Sequence, residues 1–124
     1  MNAKIILASS SEIRQKLFRN AGIPVITDPA NIDENSIKLS LEKENKSHDE
    51  IVQILSDYKG INKANKWSDN IIISCDQILS FKGKILSKPK DIESAKKNLK
   101  NLSGSKHFLI TASTIIENKN IVWR

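Results

Sequence analysis

The sequence predicts one small α/β domain, because short apolar runs of strand length alternate with longer stretches whose apolar residues recur at helical spacing. Two runs are continuous and strand-sized, Lys4 to Ala8 (KIILA) and Ile71 to Cys75 (IIISC). Three helical stripes accompany them, starting near Ile13, Ile51 and Ile92. A chain of 124 residues holds one core and is too short for two ordinary domains, so residues 1–124 are taken as a single domain.

KIILA is expected to be a buried strand running into Ser9-Ser10-Ser11 and a helix. Ser9 and Glu12 have the capping-box spacing, Ile13, Leu17, Phe18 and Ala21 form an inward stripe, and Gly22 and Pro24 stop the helix. Residues 23–27 (IPVIT) form a second strand, followed by a loop, DPANIDE, that carries Asp33 and Glu34. A second capping box, Ser47 and Glu50, opens a helix with Ile51, Ile54, Leu55, Tyr58, Ile61 and Ala64 inward and Gly60 as its weak point. IIISC leads through Asp76-Gln77 into ILSF, a Lys82-Gly83 turn and KIL, a hairpin. After the Lys88-Pro89 break, Asp91 caps a helix with Ile92, Ala95, Leu99 and Leu102 inward, ended by Ser103-Gly104. His107 to Glu117 is a long strand, Asn118 to Asn120 a turn, and Ile121 to Trp123 the start of another strand.

Apolar residues at 39% and charged residues at 27% are the balance of a globular protein. No apolar run approaches the roughly 20 residues of a membrane helix, and KIILA is shorter than a secretory core of about 7–15. One cysteine, Cys75, excludes an internal disulfide and makes a reducing cytoplasm the expected compartment. The net charge of +6 comes mostly from lysines interspersed with acids, the pattern of solvated helix faces more than of a nucleic-acid surface. His48 and His107 lack metal-ligand spacing, Trp67 and Trp123 suit core or interface, and no Walker loop, dinucleotide fingerprint or nucleophile elbow is present.

Polyanion chemistry needs donors for phosphates, carboxylates for a metal, and cations for developing charge. The serine turn, Ser9 to Ser11, offers hydroxyls and free N–H groups at a helix start, with Arg14 one turn in. Taken alone, such a turn reads first as a plain helix cap. Asp76 follows a hydrophobic strand, and at the carboxyl edge of an open α/β sheet an acid is placed to bind a metal or polarise water. Lys63 and Lys88, by themselves, read as surface lysines.

Leu7-Ala8-Ser9-Ser10-Ser11-Glu12-Ile13-Arg14 resembles the opening LASxSPRR motif of the Maf family of nucleotide pyrophosphatases. Ile32-Asp33-Glu34 looks like its IDE segment, Lys63-Ala64 its KA pair, and Cys75-Asp76-Gln77 its catalytic aspartate step. Gly83 with Lys88-Pro89, Leu102-Ser103-Gly104 and Thr111-Ala112 resemble further motifs in the same order. Glu12, Ile13 and Ala112 depart from the pattern, and the family's C-terminal third has no counterpart.

The resemblance implies a Maf/ITPase-like α/β fold, an elongated mixed sheet flanked by helices with a cleft, commonly dimeric. It implies hydrolysis of nucleoside triphosphates to monophosphate and pyrophosphate with a divalent cation, Mg²⁺ or Mn²⁺. By position, Ser9, Ser11 and Arg14 would grip phosphates, Glu34 and Asp76 would hold the metal, and Asp76 would be the base. Lys63 and Lys88 would balance charge on the leaving group, and Gln77 would bear on base choice, favouring modified purines such as 7-methyl-GTP. On the same resemblance the chain is expected to be C-terminally truncated, and aggregation-prone or inactive alone. A non-catalytic regulator of septum formation and a basic nucleic-acid-binding domain are the other functional classes.

Overall fold

The chain is described here by a computed structural model covering residues 3–124. In chain order its elements are β1 (Ile5–Leu7), α1 (Glu12–Asn20), β2 (Ile26–Thr27), α2 (Glu34–Lys43), α3 (His48–Ala64), β3 (Ile71–Phe81), β4 (Lys84–Leu86), α4 (Ile92–Leu102), β5 (Phe108–Glu117) and β6 (Asn120–Trp123). The strands form one mixed sheet in the order β2-β1-β3-β5-β6, with β4 also paired to β3. The pairs β1–β2 and β1–β3 are parallel; those of β3 with β4 and β5, and of β5 with β6, are antiparallel.

β3 joins the two halves. Its 11 residues span ~36 Å at ~3.3 Å per residue, which makes the sheet elongated. On one edge it pairs continuously with β5, from Ile71–Glu117 to Ser80–Phe108. On the other edge β1 covers only Ile71 to Ile73, and β4 only Leu79 to Phe81. Between them, Ser74 to Ile78 have no strand partner on that edge among the described residues, so the sheet carries a notch there.

The core lies between the sheet and α3, which packs on β3 and β5. Ile6, Ala8, Ala64, Ile72 and Ile116 form one cluster, and Val52, Ile78 and Ala112 a second. The buried stripe of α3 is Ile51, Val52, Leu55, Ser56, Lys59, Gly60 and Ala64. It is rotated from the expected one, leaving Tyr58 and Ile61 about half exposed. The displacement has a physical cause: polar and small residues occupy the stripe because the sheet satisfies them. Ser56 Oγ donates to Ser74 O at 3.3 Å, and Ser74 Oγ donates to Ser56 O at 2.7 Å. At Gly60 an added Cβ would lie 2.7 Å from both Ile116 Cδ1 and Ser74 Oγ, so glycine here permits close approach and the helix runs through it unbroken.

Several expectations change. α1 is capped by Ser11, whose hydroxyl accepts from the Arg14 N–H, not by Ser9 in a box with Glu12. Its end is as expected: Gly22 at φ 71° lets Gly22 N–H reach Arg19 O and Ile23 N–H reach Phe18 O, a Schellman turn. Asp33 and Glu34 are not in a loop. Asp33 caps α2 and Glu34 is its first residue. Neither α1 nor α4 buries a residue; Ile13 is 74% exposed and Ile92 72%, so their apolar stripes lack cover among the described residues. Amphipathic spacing specifies a face to be covered and does not supply the covering element.

Gly60→Ala is predicted to destabilise. Helix propensity favours alanine by about 1 kcal/mol, but forcing a methyl into this contact costs about 1–3 kcal/mol and displaces the Ser74 hydroxyl from its bond. A lowered urea midpoint at unchanged slope is the expected result, and a raised midpoint contradicts it.

Candidate active site

β1 delivers the serine turn to the notch. Ala8 N–H donates to Ile73 O at 2.9 Å, so the chain leaves the sheet alongside Ser74, where the unpaired stretch of β3 begins. Ser9 is buried, and its Oγ accepts from Ser11 N–H at 3.1 Å and from Arg14 Nη1 at 3.2 Å. Ser9, Ser11 and Arg14 thus form one local cluster at the N-terminus of α1, with the Arg14 guanidinium folded back over the turn.

Asp76 is not at the end of its strand. It lies mid-way along β3 opposite Ala112, in the unpaired stretch and beyond the carboxyl end of β1. Alternation along β3 puts Ile72, Ser74, Asp76 and Ile78 on the buried, α3-covered face, while Gln77 is exposed on the other. Asp76 and Gln77 are therefore neighbours in sequence on opposite sides of the sheet.

Glu34 is positioned by the start of α2. The Asp33 carboxylate accepts from Ser36 Oγ at 2.7 Å and Ser36 N–H at 3.2 Å, and these bonds hold its pKa below the ordinary value. The preceding loop is fastened to α3 by Asn31 N–H donating to Asn62 Oδ1 at 3.1 Å. It is also fastened by Asp28, whose Oδ1 meets Lys63 Nζ at 3.0 Å. Asp28 Oδ2 accepts from Lys66 Nζ and from Trp67 Nε1, both at 2.8 Å.

Between the two carboxylates stands a residue that the sequence did not single out. Lys59 Nζ lies 2.9 Å from Glu34 Oε1 and 2.8 Å from Asp76 Oδ1. The Lys59 and Asp76 side chains are 11% and 10% exposed, and that of Glu34 is 49%, so the group opens to solvent on the Glu34 side. Two carboxylates and one ammonium give the group a formal net negative charge. Lys63, the expected lysine, is one turn further along α3 and pairs with Asp28. Lys88 is exposed in the segment after β4. The available signal for Lys59 was its place four residues before Lys63, followed by glycine and flanked on its stripe by Leu55 and Ser56.

Hard divalent cations take oxygen ligands, and Mg²⁺ typically uses one or two carboxylates plus phosphate oxygens and water. Glu34 and Asp76 fit that donor set. No group of three or more His, Cys, Asp or Glu side chains arranged for a metal occurs among the described residues, so the protein supplies no closed cage. An open groove of ≈ 450 Å³ lined by Gln15, Arg19, Ile23 and Thr27 contains none of these residues and no carboxylate.

Fold and site together define an α/β protein whose serine turn and ionisable residues gather where parallel strands end, the usual place for ligand chemistry in open sheets. Residues 4–124 match the family described as Maf-like protein, and the chain belongs to that family. It is 39% identical over 124 residues to a nucleoside triphosphate pyrophosphatase of Ruegeria sp. (strain TM1040), covering all of this chain and 62% of the relative. With the same coverage it is 40% identical to a nucleoside triphosphate pyrophosphatase of Roseobacter denitrificans and 36% identical to a 7-methyl-GTP pyrophosphatase of Brucella abortus biovar 1. The chain therefore spans 62% of the length of these curated relatives.

The Asp28 hub makes a pH prediction. Hydrogen bonds from Lys66, then Trp67, then Lys63 hold its carboxyl far below the ordinary 3.8. A depressed carboxylate stabilises the fold above its unfolded pKa and loses that contribution as pH falls toward the folded one. Wild type is expected to exceed Asp28→Asn in urea midpoint at neutral pH, and the gap to shrink as pH drops below 3.8. A gap independent of pH contradicts the assignment.

Proposed function

We propose that this protein is a metal-dependent nucleoside triphosphate pyrophosphatase, releasing a monophosphate and pyrophosphate as a nucleotide-pool safeguard. The observation that carries this is the bridge from Lys59 to both Glu34 and Asp76, on the strand whose open stretch the Ser9–Ser11–Arg14 turn adjoins through the Ala8–Ile73 backbone bond. The names of the relatives point the same way.

In this scheme the serine turn and the α1 N-terminus bind the polyphosphate, and Arg14 forks one phosphate. Asp76 orients the attacking water and takes its proton, and Lys59, which rests on Asp76 Oδ1 before any metal binds, supplies a cation close to it. A divalent cation, Mg²⁺ or Mn²⁺ on Glu34 and Asp76, would supply electrostatic stabilisation of the charge developing on the phosphoryl oxygens. Lys88 swings in from the surface to meet the leaving pyrophosphate, and Lys63 acts at a remove by anchoring the loop that leads to Glu34. Most of the acceleration is then positioning and charge compensation, as phosphoryl transfer requires.

A preference for modified purine triphosphates over dTTP and UTP is part of the proposal and is supported by the name of the Brucella abortus relative. Gln77 would bear on it only from the face of β3 opposite Asp76. The free Cys75 fits action in the cytoplasm, and a homodimer is the proposed assembly.

The test is a panel of canonical and modified triphosphates, including 7-methyl-GTP, dTTP and UTP, with pyrophosphate detection. Asp76→Asn keeps shape and removes the charge, and a rate loss of about 10²–10⁴-fold is expected. Lys59→Met should lose more turnover than Lys63→Met, whose main effect should be on stability. Wild-type turnover in Asp76→Asn at saturating Mg²⁺ defeats the assignment, and equal kcat/KM across the panel removes the purine preference.

A further inference from the structure

Lys59 is fixed in place from the backbone outward. It lies on the buried stripe of α3 between Ser56 and Gly60, the two positions that set how closely the helix sits on β3. Its ammonium is consequently delivered to one point, 2.9 Å from Glu34 Oε1 and 2.8 Å from Asp76 Oδ1. Among the described residues, no other side chain is ion-paired to either carboxylate.

Those carboxylates are also the pair proposed to hold the divalent cation. A hard cation binds carboxylate oxygen at about 2.0–2.6 Å, so it would stand within a few ångströms of the ammonium. Repulsion between a single and a double positive charge at ~4 Å is far above thermal energy even at an effective dielectric of ~20. The ammonium and the metal cannot share these oxygens without strong mutual destabilisation.

We propose that Lys59 is a tethered competitor of the divalent cation. It serves as the built-in cation of the Glu34–Asp76 pair and lowers the pair's affinity for a free metal ion. Metal loading displaces its ammonium, which the flexible four-carbon stem can carry to a phosphate oxygen. Triphosphate and metal would then bind cooperatively, because the polyphosphate accepts the charge that the metal evicts. The inference rests on the reading of Glu34 and Asp76 as metal ligands, and the experiment separates the two.

Mn²⁺ binding to the 124-residue chain is measured by electron paramagnetic resonance of the free ion, for wild type, Lys59→Met, Lys59→Arg and Asp76→Asn. Lys59→Met, which keeps the stem and drops the charge, should bind Mn²⁺ at least about tenfold more tightly than wild type. Lys59→Arg should stay near wild type, and Asp76→Asn should bind most weakly. Equal or weaker binding by folded Lys59→Met, with Asp76→Asn impaired, overturns the competition and leaves the metal site standing. Unimpaired Asp76→Asn, or no binding by any form, overturns both.

If Lys59→Met does not fold, wild type decides alone through ¹H–¹⁵N correlation spectra of its lysine ammonium groups. The Lys59 signal should shift as Mg²⁺ is added while that of Lys63, held by Asp28, stays in place. A Lys59 signal unmoved at saturating Mg²⁺ overturns the proposal.

Discussion

The fold is organised around an ammonium taken largely out of water. A buried lysine charge is tolerated only where carboxylates and good geometry compensate for the lost hydration. Lys59 obtains one carboxylate from the middle of β3 and one from the first turn of α2. That requirement dictates three things at once: where α2 begins, how close α3 lies to the sheet, and which face of β3 carries an acid. The polar stripe of α3 is intelligible only in this light. Gly60 leaves room for Ile116 and Ser74 where the helix meets the sheet, and the reciprocal Ser56–Ser74 bonds fix the position of the helix on β3.

The notch supplies the second constraint. Had β1 or β4 been longer, the Asp76 segment would be covered on both edges and closed to ligands. Because β1 stops at Leu7 and β4 starts pairing only at Leu79, one edge of β3 stays open between them. The serine turn enters beside that opening, since Ala8 still bonds to Ile73. The serine turn and the open stretch of β3 that carries Asp76 are thus placed by strand lengths as much as by residue identity.

Much of this was legible in the sequence. The two continuous apolar runs, the caps Ser47 and Asp91, the Lys82-Gly83 turn and the mixed α/β order all emerge from local rules, and the structure has each of them. The misses have particular causes. α2 has no buried residue, so its apolar signal is weak, although Asp33 with Ser36 was a readable start. A strand that continues through Asp76-Gln77 defies the habit of ending strands at polar pairs; here ten pairings to β5, from Ile71 to Ser80, carry it on. Lys59 was passed over because a lysine is buried by tertiary pairing, which local spacing does not reveal. The sequence motif around Lys63 drew attention to the right helix and the adjacent turn.

The alternation along β3 makes the seam between α3 and the sheet a key that reads the strand's phase. A slip of one residue would turn Cys75 or Gln77 toward Lys59 in place of Asp76, and a slip of two would present Ser74 or Ile78. Either error breaks the Ser56–Ser74 pair and drives a different side chain into the space at Gly60. A mis-threaded sheet therefore loses its seat for the helix, and the check on the strand's phase is vested in two serines and a glycine.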